Sequence, residues 1–336
     1  MRVRHLTTKV MMATSLLGAG LLLGACGDPG SGGGEANPTT NTSGGSACAP
    51  VAGDKLVVLT DDKGLQNSDN IIPAINKAVA DKNPQIVDLL NSVSAKLDTD
   101  KLIQLNKSVD IDRKTSPEVA ADFVKTEGLG AQDQSGKGTK VVVGAANFSE
   151  SATLAEIYAA VLKSAGFDAT TQTVGNRETY LPALEKGTLA AVPEYAATLA
   201  DFLNAKVNGT DAASVATPDI DKTVAALTPL AEKSGLVMGE ASAAQDQNAF
   251  AVTQEFADAH NVKTLSELAT ACGSGLTLAG PPECAERPFC KPGLEKTYGI
   301  KFEDFKSYDF GLIGAAIRKG EVSMGLVLSS DGSLAS

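Results

Sequence analysis

Tryptophan is absent from this 336-residue chain, histidine occurs twice, and aromatic side chains make up only 4% of it. So few rings leave little material for stacking bases or sugars, and each ring placed in a pocket carries weight. Two histidines cannot build a His-rich metal centre. His260 is the only one beyond the first few residues, so a Ser-His-Asp site would rest on it alone. It ends an apparent helix, where a cation suits the helix dipole. Positive charge is also short, with 29 Lys and Arg against 40 Asp and Glu. The net charge of -11 and the lack of any basic run exclude the electrostatic footprint of a nucleic-acid binder. G-x-S-x-G, H-E-x-x-H, Walker A and G-x-G-x-x-G patterns are all missing. No enzymatic activity, cofactor or metal is therefore expected.

The one long apolar run is at the start. Arg2, Arg4 and Lys9 precede an apolar stretch that ends in Leu23-Gly24-Ala25-Cys26. This has the layout of a secretory leader, and its end resembles a bacterial lipobox. Residues 1–25 are expected to be removed and Cys26 to be lipidated, anchoring an extracytoplasmic body to the cell membrane. Residues 26–50, rich in Gly, Pro, Ser, Thr and Asn, read as a flexible linker. Four further cysteines remain, an even number that suggests two disulfides in an oxidising compartment. Cys284 and Cys290 sit six apart in a Pro-rich loop and are expected to bridge each other, which leaves Cys48 with Cys272.

The rest reads as α/β. The run 55–60 is a short apolar strand, followed by helices over 69–80 (with Pro73 in the first turn), 84–97 and 99–109. A further helix is N-capped by Ser116 and ends at Gly128. Residues 130–139 are a polar, Gly-rich join. Strand 140–144, helix 151–165 with Ser149 as N-cap, strand 169–174, helix 178–186, strand 189–192 and a helix from Tyr195 then alternate as in a parallel sheet. Helix 219–234, strand 235–238, strand 249–253, helices 254–260 and 264–271, strand 276–279, helix 311–319 and strand 322–328 complete the pattern. Ligands in such sheets lie at strand carboxyl ends, beside helix N-termini.

The stretches VVVGAANFSESATLAEIYAAVLKSAGF, GNRETYLPALEKGTLAAVPEYAATL, KGEVSMGLVLSSDG and LVVLTDDKGL together carry a recognisable pattern. They resemble the glycine betaine/carnitine/choline substrate-binding proteins of osmoprotectant ABC importers. The resemblance implies a two-lobed, periplasmic-binding-protein-like (type II) fold, acting as a monomer that delivers a small solute to an ABC permease. The order of segments differs, because in that family the LVVL-DDKG segment ends the chain. Circular permutation is therefore implied, with lobe I over 51–246 and lobe II over 247–336. Residues 51–55 should then lie beside 329–336, and strand 55–60 should share a lobe with 140–144 rather than with 276–279. Crossovers are expected near Asp246-Gln247 and at 329–331. The second of these, leading only to the free C-terminus, would let the two lobes open more widely than in relatives.

A quaternary ammonium is held by aromatic faces through cation–π attraction. Tyr195 matches a family aromatic-box position, so Tyr195→Ala should weaken binding and Tyr195→Phe should cost little. Asn147, Phe148 and Ser149 precede or open a helix. Arg177, or Arg287 from the opposite lobe, could clamp a ligand carboxylate, although Arg177 could equally pair with an acidic neighbour. Asp246 and Asn248 complete the candidate set. Asn248, Pro281 and Leu328 stand where some relatives carry aromatic rings, so a thinned box is implied, and a polar or phenolic solute stays open. A sensory or scaffold lipoprotein on the same fold is the alternative function.

Overall fold

The computed structural model describes residues 48–131 and 133–335. The leader, Cys26 and the linker up to residue 47 lie outside the described residues. The linker ends earlier than expected, because Cys48 is buried and disulfide-bonded to Cys272. Cys284 bridges Cys290. Among the described residues, no helix is long and apolar enough to cross a membrane.

Among the described residues, ten strands form two five-stranded sheets. Lobe I contains β2 (Ile71–Asn76), β3 (Lys140–Ala145), β4 (Asp168–Thr173), β5 (Ala191–Tyr195) and β6 (Leu236–Met238), in the order β4-β3-β5-β2-β6. Lobe II contains β1 (Leu56–Leu59), β7 (Asn248–Thr253), β8 (Leu276–Gly280), β9 (Phe302–Ser307) and β10 (Met324–Leu328), in the order β1-β7-β10-β8-β9. In each sheet one strand runs against the rest. It is β2 in lobe I, antiparallel to β5 and β6, and β7 in lobe II, antiparallel to β1 and β10. Each of these two strands is the one the chain enters from the other lobe, through residues 60–70 and 239–247 respectively. They enter at the carboxyl ends of the parallel strands, and that side is where the lobes face each other.

Helices cover the sheets: α1 (Lys77–Lys82), α2 (Gln85–Ser94), α3 (Thr99–Asn106), α4 (Ser116–Thr126), α5 (Ser149–Ser164), α6 (Arg177–Glu185), α7 (Ala196–Asn208) and α8 (Ile220–Lys233) in lobe I, then α9 (Gln254–His260), α10 (Leu265–Ala271) and α11 (Ile313–Arg318) in lobe II. Burial follows strand periodicity. Ile71 and Ile75 pack on one face of lobe I with Leu90, Leu154 and Tyr158, whereas Ile72 and Ala74 pack on the other with Leu184 and Leu227. His260 lies in the last turn of α9, against Phe256.

Five expectations are corrected. Residues 71–76 are a strand and not part of a helix. Three isoleucines, all buried, favour the pleat, and Pro73 sits opposite Pro193 on one rung, so the two missing N–H groups coincide. The N-cap of α4 is Thr115 rather than Ser116, in a capping box with Glu118. Strand β9 was unforeseen, its six residues FEDFKS being mostly polar. Strand β1 belongs with β8 and not with β3, because its backbone pairs in register with β7, from Leu56 opposite Thr253 to Leu59 opposite Phe250. Finally, residues 329–331 are not a crossover. Both crossovers are continuous inside the chain, so the expectation of wider opening loses its basis.

The crossovers run side by side. Ile71 N donates to Ala244 O, Ser242 N to Ile71 O and Asp246 N to Asp69 O. Ser329 joins as a third tie, donating from N to Gln247 O and from Oγ to Gln245 O. The turn Gly332–Leu334 packs against lobe I, where a Cβ on Gly332 would lie 2.6 Å from Lys107 N, so only glycine fits.

Candidate functional site

Three helices of lobe I begin where strands end, and their first residues meet the crossovers and the near edge of lobe II. Together they enclose a cavity of about 600 Å³. Asn147 and Phe148 come from the β3–α5 turn, Asn176 and Arg177 from the start of α6, and Tyr195 from the end of β5. Asp69 and Asp246 come from the two crossovers, and Asn248, Phe289 and Leu328 from lobe II.

The structure therefore brings Asn147, Phe148, Arg177, Tyr195, Asp246 and Asn248 onto one cavity, whereas Ser149, Arg287 and Pro281 do not line it. Phe148, not Ser149, is the N-cap of α5, which puts Ser149 inside the first turn. The disulfide loop that carries Arg287 contributes Phe289 instead. The box is less thin than expected, for the Phe148 and Tyr195 rings stand 6.1 Å apart and Phe289 adds a third ring.

Arg177 is already occupied. Its Nε and Nη2 donate to the two carboxylate oxygens of Glu194, at 3.0 and 2.8 Å, and Nη2 also reaches Thr198 Oγ1 at 2.8 Å. Glu194 is fully buried and accepts further bonds from Tyr180 Oη (2.7 Å) and Tyr195 N (3.1 Å). This bidentate, multiply bonded pair is a fixed part of the wall. Of the two options open for Arg177, the structure has the acidic neighbour, bonded at Nε and Nη2.

Beside Asp246, already a candidate, stand two carboxylates that the sequence reading did not single out as ligand residues, Asp69 and Glu150. Asp69 is buried, and its Oδ1 accepts from Ala197 N (2.8 Å) and Thr198 N (3.1 Å), so it caps α7 from the first crossover. Burial pushes its carboxyl up to about 6. Asp246 accepts from Ser330 Oγ at 2.8 Å and is pushed up to about 8, by burial first and then by the neighbouring Glu150 charge. Glu150 accepts from Tyr195 Oη (2.7 Å) and Asn106 Nδ2 (2.6 Å), and burial raises it as well. Tyr195 Oη is thus committed to a buried acid, so Tyr195→Phe would remove a structural hydrogen bond whatever its effect on binding. The signal for Asp69 was hidden because residues 69–80 read as one helix.

The family described as the substrate binding domain of ABC-type glycine betaine transport systems matches residues 49–126 and 139–336. The glycine-betaine-binding protein of Pseudomonas aeruginosa is 36% identical over 84 residues, which are 25% of this chain and 27% of that protein. The glycine betaine-binding protein YehZ of Escherichia coli is 35% identical over 79 residues, 24% of this chain and 26% of that protein. The chain thus spans about a quarter of the length of these curated relatives. A crystal structure described as a glycine betaine/carnitine/choline ABC transporter shares 19% identity at a TM-score of 0.46, covering 59% of this chain and 70% of that one.

Proposed function

Because the chain belongs to the family of substrate-binding domains of ABC-type glycine betaine transport systems, we propose that it binds a small organic ammonium solute between its lobes and hands it to an ABC permease. Members of this family are binding domains, not enzymes. The observation that carries the reading is the cavity itself, placed at the carboxyl ends of the lobe I strands and faced by the Phe148 and Tyr195 rings. A quaternary ammonium lacks strong hydrogen-bonding groups and is held by ring faces, each contributing roughly 0.5–2 kcal/mol. Asn147 and Asn248 are placed to meet polar groups of the same solute.

The protein works, in this reading, outside the cytoplasm as a monomer tethered by a lipid on Cys26. The leader and lipobox at residues 1–26 support the tether. Circular permutation belongs to the same reading. The family match in two blocks supports it, as does Arg318, which donates to Asp54 O and Ser333 O and so holds the start and end of the body together. The cut would then fall within lobe II, between residue 335 and residue 51, and leave both crossovers whole.

A thermal-shift screen over quaternary amines, amino acids and phenolics tests the solute. A ligand present at 100 times its Kd should stabilise the protein by about 2.7 kcal/mol. A shift from small ammonium compounds supports the reading. A shift confined to phenolics or anionic amino acids would replace it.

A further inference from the structure

We propose that Cys48, Cys272 and His260 bind a thiophilic metal ion, Zn²⁺, in the dithiol form of the protein, and that this site and the Cys48–Cys272 disulfide exclude each other. The inference stands apart from the solute-binding reading above.

Among the described residues, one set of three metal-ligating side chains converges, and none of its members lines the cavity. The sulfurs of Cys48 and Cys272 and a ring nitrogen of His260 all lie within 4.8 Å of one another. His260 Nδ1 is 3.8 Å from Cys48 Sγ. A disulfide needs no nitrogen beside it, so the position of this ring points past the bridge. Packing on Phe256, with ring centroids 4.4 Å apart, holds the imidazole in place. Cys48 is 212 residues from His260 and 224 from Cys272, so no local motif announces the set.

The three side chains are presented by backbone that does not depend on the bridge. Cys48 O accepts from Ser323 Oγ at 3.1 Å. Cys272 closes α10, with its N–H on Leu268 O at 2.7 Å. His260 ends α9, whose N-cap Thr253 accepts from Phe256 N at 3.1 Å. With the two cysteine Cα atoms 5.7 Å apart, side-chain rotation carries both sulfurs onto one ion at about 2.3 Å, with the His260 nitrogen at about 2.0–2.1 Å.

Charge and ligand type favour this ion in this place. Two thiolates, a neutral imidazole and Zn²⁺ sum to zero. The loaded cluster therefore brings no net charge into the apolar surroundings of Cys48 and Cys272, which include Leu59, Phe256 and Leu268. Thiolate and imidazole suit Zn²⁺, whereas Ca²⁺ and Mg²⁺ require oxygen ligands. His260 is partly exposed, which leaves the fourth tetrahedral position open to water from that side.

Disulfides form in the oxidising compartment, so an exported chain carries these sulfurs first as thiols. Binding replaces two S–H protons by one Zn²⁺ and releases both. Oxidation by a disulfide such as glutathione disulfide is an exchange. One cysteine sulfur attacks the oxidant and expels a thiol, and the second attacks the mixed disulfide and expels the other. The protein sulfurs lose two electrons, the two expelled thiolates take up two protons, and Zn²⁺ leaves with its charge unchanged. While the ion is bound it holds the attacking sulfurs, so bridge formation waits on its release. An ion on Cys48 and Cys272 also leaves Cys284 and Cys290 to each other, out of the three pairings that four thiols allow.

The test uses the full-length chain with Cys26→Ser, Cys284→Ala and Cys290→Ala, reduced with a phosphine that is then removed under argon. Cys48 and Cys272 are then the remaining thiols. Titration with Co²⁺, a spectroscopic stand-in for Zn²⁺, should show one ion per chain. Thiolate-to-cobalt charge-transfer absorption and the visible bands of tetrahedral cobalt should appear, and an equivalent of Zn²⁺ should abolish them. His260→Phe keeps a ring beside Phe256 and removes the nitrogen, and should weaken Zn²⁺ binding roughly tenfold or more. Zn²⁺ should slow bridge formation by glutathione disulfide, and much less so in His260→Phe. The oxidised protein should give no cobalt–thiolate absorption. Equal affinity with and without His260, or equal affinity in urea, would show sulfurs binding from any chain conformation and would overturn the site. Absence of charge-transfer absorption at millimolar Co²⁺ would do the same. Should the reduced variant fail to fold, the reduced wild type decides. Zn²⁺ must then raise its thermal unfolding midpoint, and by less in His260→Phe, and no rise would overturn the proposal.

Discussion

Replacing Arg177 by methionine is expected to destabilise the protein by about 3–5 kcal/mol, the cost of leaving a buried charge without its partner. Glu194 is fully buried, and its two oxygens are held by the guanidinium of Arg177 at 3.0 and 2.8 Å. Tyr180 Oη and the Tyr195 amide remain as donors, yet neither supplies charge. Methionine keeps much of the volume against Phe202, whose ring centroid lies 5.9 Å from the guanidinium carbon. The loss therefore comes mainly from the pair and not from a cavity. Replacing both partners, as Arg177→Met with Glu194→Leu, should be milder than Arg177→Met alone, because the buried charge goes with its counter-charge. Urea unfolding of the three variants measures this. Unchanged stability in Arg177→Met would show that the arginine is not tied to Glu194 and would return it to the role of ligand clamp.

The second large effect concerns the long-range disulfide. Cys48 and Cys272 are 224 residues apart, whereas Cys284 and Cys290 are six apart. In the chain-entropy account, a cross-link removes freedom from the unfolded chain in proportion to the logarithm of the loop it closes. That gives about 5 kcal/mol for the long loop and about 2 kcal/mol for the short one. Cys48 also packs among Leu59, Phe256 and Leu268, so its loss would loosen the segment that leads into β1. Cys48→Ala with Cys272→Ala should accordingly lower unfolding stability by at least twice as much as Cys284→Ala with Cys290→Ala. The reverse order in equilibrium denaturation would mean that the short bridge matters through native-state packing of the loop bearing Phe289.

These effects also indicate what the sequence could reveal and what it could not. The alternation from Lys140 to Tyr195 marks a parallel β-α-β unit because strand and helix periods differ sharply there, and the structure has strands and helices in that order. Cysteine spacing pointed to both bridges. Six of the eight candidate ligand residues lie on one cavity, because turns after parallel strands converge at the strand ends. What escaped notice depends on partners remote in sequence. A short apolar run such as 56–59 does not say which sheet it joins, and only pairing with β7 decides that. Ile71-Ile-Pro-Ala-Ile-Asn76 abuts a true helix, so the two merged into one, and Asp69 was lost inside it. The commitments of Arg177 to Glu194 and of Tyr195 to Glu150 span 17 and 45 residues. Local pattern carries no trace of such pairings.

The central claim is that the cavity between the lobes is where the solute binds. A crystal structure of the protein with the most stabilising ammonium compound from the thermal screen tests it most directly. The account predicts the ammonium between the two sheets, within about 6 Å of the Tyr195 or Phe148 ring centroid, with the Arg177–Glu194 pair unbroken. A ligand bound outside this cavity, or one inside it that has drawn Arg177 away from Glu194, would contradict the account.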